Sequence, residues 1–143
     1  MSDLFCLDPR LANDCELIEE LDLCSVLLMN DANYPWFILV PRVVKAFELV
    51  NLSEQQQRQF LAESNTLSHF ILGHFKAEKL NVAALGNVVK QLHVHHIGRF
   101  ETDVAWPKPV WNAVPTKPYS EVQIVNIKQA FRDFGQNRTT QFT

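Results

Sequence analysis

The sequence has no long apolar run, no CxxC pair, no basic cluster and no Walker-type glycine loop. A transmembrane helix needs about 18 consecutive apolar residues, so no membrane span or membrane partner is expected. The opening stretch MSDLFCLDPRLANDC carries acidic residues and lacks the roughly 7–15-residue apolar core of a secretory signal. Its three cysteines, Cys6, Cys15 and Cys24, are odd in number and far apart. That spacing suits reduced thiols in a cytoplasmic protein better than a disulfide framework or a thiolate metal site. With a formal net charge of −3, a pI near 5.9 and scattered Lys and Arg, long nucleic acid is a poor partner, since its binding rests on neutralising phosphates. Any phosphate ligand should therefore be small. No acidic pair or Asp cluster suggests magnesium, and no cofactor is expected.

What is present fits one packed domain spanning residues 1–143, at 47% hydrophobic and 20% charged residues. NDCELIEEL (13–21) predicts a short helix, with Asn13 as N-cap and Glu16 completing a capping box. LCSVLLM (23–29) and WFILVP (36–41) predict two antiparallel strands separated by the turn-forming NDANYP. Ser53 and Gln56 begin the longest helix, which Phe60, Ser64, Leu67, Ile71, Phe75 and Glu78 carry to about residue 78. His69 and His74 lie on it five residues apart, which does not stack them on one face, so they are expected to be surface or partly buried residues. LNVAAL (80–85) and QLHVHHI (91–97) predict two more strands, with Gly86 where the chain reverses. The proline-rich stretch 101–118 excludes a regular helix or central strand. Ser120 and Gln123 cap a last amphipathic helix, and the polar tail from about 135 to 143 is expected to fray. The result is an α+β domain built on an antiparallel sheet, with one long central helix and shorter flanking helices.

The feature that asks for chemistry is QLHVHHIGR (91–99), which places three of the five histidines within four positions. Side chains alternate along a strand, so Gln91, His93, His95 and Ile97 share one face while Leu92, Val94 and His96 share the other. His93 and His95 should stand about 6–7 Å apart, flanking a group the size of a phosphate. His96 points away and should pack or face an interface. Three uses of the His93/His95 pair compete. An H-x-H strand offers two metal ligands, but a catalytic metal wants a third and none stands at a motif spacing. The pair could be structural, or one histidine could act as a nucleophile in phosphoryl or nucleotidyl transfer.

GNVVKQLHVHHIGR (86–99) resembles the signature of the histidine triad superfamily, in which a glycine and an amide or hydroxyl residue lead into alternating histidines. AWPKPVW (105–111) and LLMNDANYPWFILVPR (27–42) are similar to bacterial members of the dinucleoside polyphosphate hydrolase branch. Aligning HIGR puts His93 on the nucleophile, His95 on the last triad position and Gln91 on the first. A rival register makes His95 the nucleophile and Ile97 the third member. Trp36 stands where many relatives have another histidine.

The resemblance implies a nucleotide hydrolase or transferase that acts at the α-phosphate of dinucleoside polyphosphates or nucleoside phosphoramidates, through a nucleotidyl-histidine. His93 would attack and need its Nδ1–H held by an acceptor. His95, best protonated, would donate to a non-bridging oxygen. Gln91 would orient the phosphate or the leaving oxygen. Asn87 and the backbone at Gly86 would hold phosphate, and Asn30 would meet the ribose unless it only makes an Asx-turn. Lys90 and Arg99 are expected to be solvated. The resemblance also implies a homodimer. The alternative is a nucleotide-binding sensor whose altered triad has lost efficient chemistry.

Overall fold

A computed structural model describes residues 4–141, with side chains described for residues 4–137. The order is α1 (Pro9–Asp14), β1 (Cys15–Glu20), β2 (Cys24–Met29), β3 (Trp36–Pro41), a 3-10 turn (Leu49–Asn51), α2 (Glu54–His74), β4 (Lys79–Ala83), β5 (Val94–Arg99) and α3 (Glu121–Gln141). The five strands form one antiparallel sheet in the order β1-β2-β3-β5-β4.

Alternation along the central strands separates two cores. Val26, Leu28, Phe37, Leu39 and Val94 face one side, where they meet Phe60, Leu67, Phe70 and Ile71 of α2 and Ile127 and Phe131 of α3. Leu27, Trp36, Ile38, Val40 and Ile97 face the other, beneath Leu11 of α1 and Ala105 and Val110 of the segment after β5. Glu63 fastens α2 to the sheet, its buried carboxylate accepting from the backbone N–H groups of Leu23 and Cys24 at 2.9 and 2.8 Å. Two of the three expected helix starts are present. Ser53 and Gln56 form the reciprocal capping box of α2, and Ser120 and Gln123 bond in the same way before α3.

The first expected helix is instead mostly a strand. Asp8, not Asn13, caps α1, its carboxylate accepting from Arg10 N at 2.8 Å with Pro9 in the first turn. Residues 15–20 then pair with β2, and a bulge between Leu17 and Glu19 inserts Ile18. The bulge buries Cys15 and Ile18 at a spacing of three, which imitates helical periodicity. Helix α2 ends at His74, four residues early; His69 is exposed, and His74, also exposed, stacks on Phe70. Helix α3 has 21 residues, as many as α2, and extends through Gln141. Residues 135–141 of the polar tail are part of this helix, and they hold no proline. Phe142 and Thr143 lie outside the described residues.

Strand β5 begins at Val94 rather than 91, because Leu92 N donates to Ala46 O outside the ladder, and it passes through Gly98 to Arg99. A Cβ on Gly98 would lie 2.7 Å from Pro35 and 2.9 Å from Ile71, so glycine there lets α2 and the β2–β3 loop close onto the strand. Arg99 is not solvated. It is 1% exposed, its Nε and Nη2 grip Asp103 at 2.8 and 3.1 Å, its Nη1 donates to Asn81, and its guanidinium faces the Tyr34 and Trp106 rings. A buried cation requires such pairing.

Candidate active site

Three neighbouring histidines are held in three different ways. His93 Nδ1 lies 2.7 Å from the carbonyl oxygen of Gln91. A carbonyl can only accept, so this nitrogen carries the proton and Nε2 keeps its lone pair. On the next residue of the same face the assignment reverses. The indole N–H of Trp36 donates to His95 Nδ1 at 2.9 Å, which leaves the proton of neutral His95 on Nε2. Burial, then electrostatic coupling to the neighbouring His93 and His96 rings, pushes the His95 pKa down to about 4. His95 is therefore a neutral donor near neutral pH, without the added strength that protonation would give it.

His96 turns to the opposite face. Its Nδ1 donates to Val94 O at 3.0 Å and its Nε2 accepts from the Ser64 hydroxyl of α2 at 2.7 Å. It is fully buried, and burial lowers its pKa to about 4 against the opposing hydrogen bond to Val94. Packing is its role in the fold.

His93 and His95 stand edge to face with ring centroids 5.1 Å apart, closer than strand spacing alone suggests because His93 precedes the regular strand. Both line a cavity of about 460 Å³. The sheet contributes Trp36 and Ile38 of β3 with Met29 of β2; α1 supplies one wall, residues 85–89 supply a lip, and Trp111 and Asn112 complete the lining. Trp111 packs edge-on against both His95 and Trp36, at 5.1 and 5.8 Å, so the donor to His95 is itself wedged in place. Gly86, with a φ of 69°, turns the lip in a conformation that favours glycine, bringing Asn87 into the lining.

The cavity thus collects His93, His95, Gly86 and Asn87. Two other expected residues lie elsewhere. Gln91 does not line it: its Oε1 accepts from Asp8 N and its Nε2 donates to Cys6 O, both at 2.9 Å, so both ends of the amide are taken by the N-terminal segment. Asn30 also lies outside the lining and makes no Asx-turn. Its Oδ1 accepts from Tyr119 N at 2.8 Å, anchoring the approach to α3, while Asp31 makes the turn through Asn33 N. Among the described residues, no three His, Cys, Asp or Glu side chains converge as metal ligands would. The sequence reading missed Trp36 as the partner of His95, Trp111 behind it, and Arg10 and Asp14 on the α1 wall. Trp36 reaches His95 because it shares its strand face with Ile38, the residue paired with His95, a register that no local motif announces.

The HIT domain family matches residues 10–102. The chain belongs to the HIT domain family. It is similar to solved histidine triad proteins from Marinobacter aquaeolei VT8, at 47% identity over 92% of this chain and 96% of that one, and from Bradyrhizobium japonicum, at 42% over 91% and 97%. Both superpose with a TM-score of 0.88. The diadenosine triphosphate hydrolase of Plasmodium falciparum shares the fold at a TM-score of 0.60 and 15% identity, covering 96% of this chain and 82% of that one. A comparison with the curated proteins finds no match. Membership of the HIT family, which includes nucleotide hydrolases and transferases, gives the cavity a chemical context. No helix among the described residues is long and apolar enough to cross a membrane.

Proposed function

We propose that this HIT protein is a nucleotide hydrolase or transferase that attacks the α-phosphorus of dinucleoside polyphosphates or nucleoside phosphoramidates through His93. The observation that carries the reading is the pair of opposite tautomers on one cavity wall: His93 with a free Nε2 lone pair, His95 with a donating Nε2–H. The P–N bond to His93 forms as the bond to the leaving group breaks. Positive charge developing on the ring is met by the Gln91 carbonyl at Nδ1. His95 donates through its Nε2–H to a non-bridging oxygen, and because the Trp36 N–H occupies its Nδ1 lone pair it does not compete as a second nucleophile. Water then cleaves the P–N bond, releasing a mononucleotide and restoring neutral His93. Asn87 and the backbone at Gly86 hold the phosphate from the lip. The same tautomers favour His93 over His95 as nucleophile, since a neutral imidazole attacks through the nitrogen that lacks a proton.

A second reading has its own observation. Gln91, at the first triad position, is bound to the N-terminal segment and away from the cavity. A site that lacks help for its leaving group could bind nucleotides and turn them over negligibly, as a sensor. AMP release from diadenosine tetraphosphate and from a lysine-linked adenosine phosphoramidate, measured with chelator present, separates the two. Turnover lost in His93→Ala and reduced in His95→Ala supports the enzyme. Micromolar binding without turnover supports the sensor. The enzyme reading includes a homodimer, which light scattering checks.

A further inference from the structure

Helix α1 contributes two charged side chains to the cavity that the mechanism above leaves unused, Arg10 and Asp14. Four residues apart, they lie on one face of the helix, about 6 Å along its axis. Among the described residues neither enters a salt bridge, and the Asp14 carboxylate accepts only from Asn13 Nδ2 at 3.3 Å.

Both ends of the helix are pinned, and the pins fix its direction. At one end the Gln91 side chain holds Asp8 N, Asp8 holds Arg10 N, and the Gln91 carbonyl holds His93. Arg10 is therefore tied through Asp8 and Gln91 to the His93 end. At the other end Asp14 O accepts from Asn30 N at 3.1 Å, and Cys15 pairs with Met29. Asp14 stands at the Met29 end, away from the histidines. The wall is positive towards the His93 end and negative towards the Met29 end.

From this polarity, and resting on the nucleotide reading, we infer that α1 orients the bound nucleotide: Arg10 receives the phosphate and Asp14 accepts hydrogen bonds from the ribose hydroxyls. A nucleotide has the matching polarity, with anionic oxygens at one end and hydroxyl donors a few ångströms away. Gln91 is then a positioning residue, latching the wall to the nucleophile. A reversed nucleotide would set its phosphate against Asp14.

The test is calorimetric binding of AMP, adenosine and 2′,3′-dideoxy-AMP to the full chain and to Arg10→Ala and Asp14→Ala, both exposed positions where folding is not at stake. Arg10→Ala should erase about tenfold of the preference for AMP over adenosine, leaving the preference for AMP over dideoxy-AMP in place. Asp14→Ala should do the reverse, by a similar or smaller factor. If AMP still binds and both selectivities are unmoved, or all three ligands weaken equally in each variant, the orienting wall is wrong while the nucleotide reading stands. If the unaltered protein binds no nucleotide, both fall together.

Discussion

His95 and His96 are adjacent, both are buried, and burial lowers both pKa values to about 4. Yet one borders a cavity of about 460 Å³ and the other is bonded into a packed core against α2. Residue type and electrostatic shift do not separate them. What does is the face of β5 each occupies, and whether that face meets open space or a helix. The same contrast extends to His93, which shares the cavity with His95 although it lies outside the regular strand.

The sharpest way to break the comparison is to empty each face in turn. His93→Ala should cost about a thousandfold or more in nucleotide turnover with little change in the urea midpoint. His96→Ala should do the opposite. It removes a buried ring and leaves Ser64 without its partner, costing about 2–4 kcal/mol in urea unfolding, while the rate per folded molecule stays within a few-fold. If His96→Ala destroys turnover in protein that remains folded, the two faces are not functionally distinct.

Acid supplies a comparable test. The folded-state pKa values of His95 and His96 lie near 4, below the ordinary 6.5, so between these limits the unfolded chain binds protons that the folded chain refuses. Stability from these rings is complete above about pH 6.5 and is lost as pH falls towards 4, on the order of 3 kcal/mol for each. Urea midpoints measured across that window should fall with acidity, and His96→Ala should flatten the decline. Trp36→Phe is the smallest perturbation: it keeps a ring but removes the N–H that fixes the His95 tautomer. Such partners are worth about 10–100-fold in activity, so turnover should fall by that factor without the collapse seen for His93→Ala.

Much of this contrast was legible in the sequence because strand alternation is geometric. His93 and His95 on one face with His96 on the other followed from parity alone, and the capping pairs Ser53/Gln56 and Ser120/Gln123 marked both long helices. Local pattern failed where one inserted residue changed the period, as Ile18 does in β1, and where long-range partners decided the outcome. Arg99 looked like a surface cation because nothing local announces Asp103, Asn81 and two aromatic rings around it. Gln91 followed the parity of a triad member, yet its amide bonds to residues more than 80 positions away. Trp36 stood out only as a missing histidine; its use as the His95 donor depends on β3 pairing with β5, which no local motif specifies.

The central claim is that His93 attacks through Nε2, and the most direct measurement is to catch the adduct. The protein would be mixed with diadenosine tetraphosphate, denatured rapidly at alkaline pH to preserve an acid-labile P–N bond, and analysed by intact and peptide mass spectrometry. We expect a fraction of the chain to be heavier by one nucleoside monophosphate, with the added mass on the peptide residue His93 and absent from His93→Ala. An adduct on His95, or sustained turnover in His93→Ala, would contradict the account.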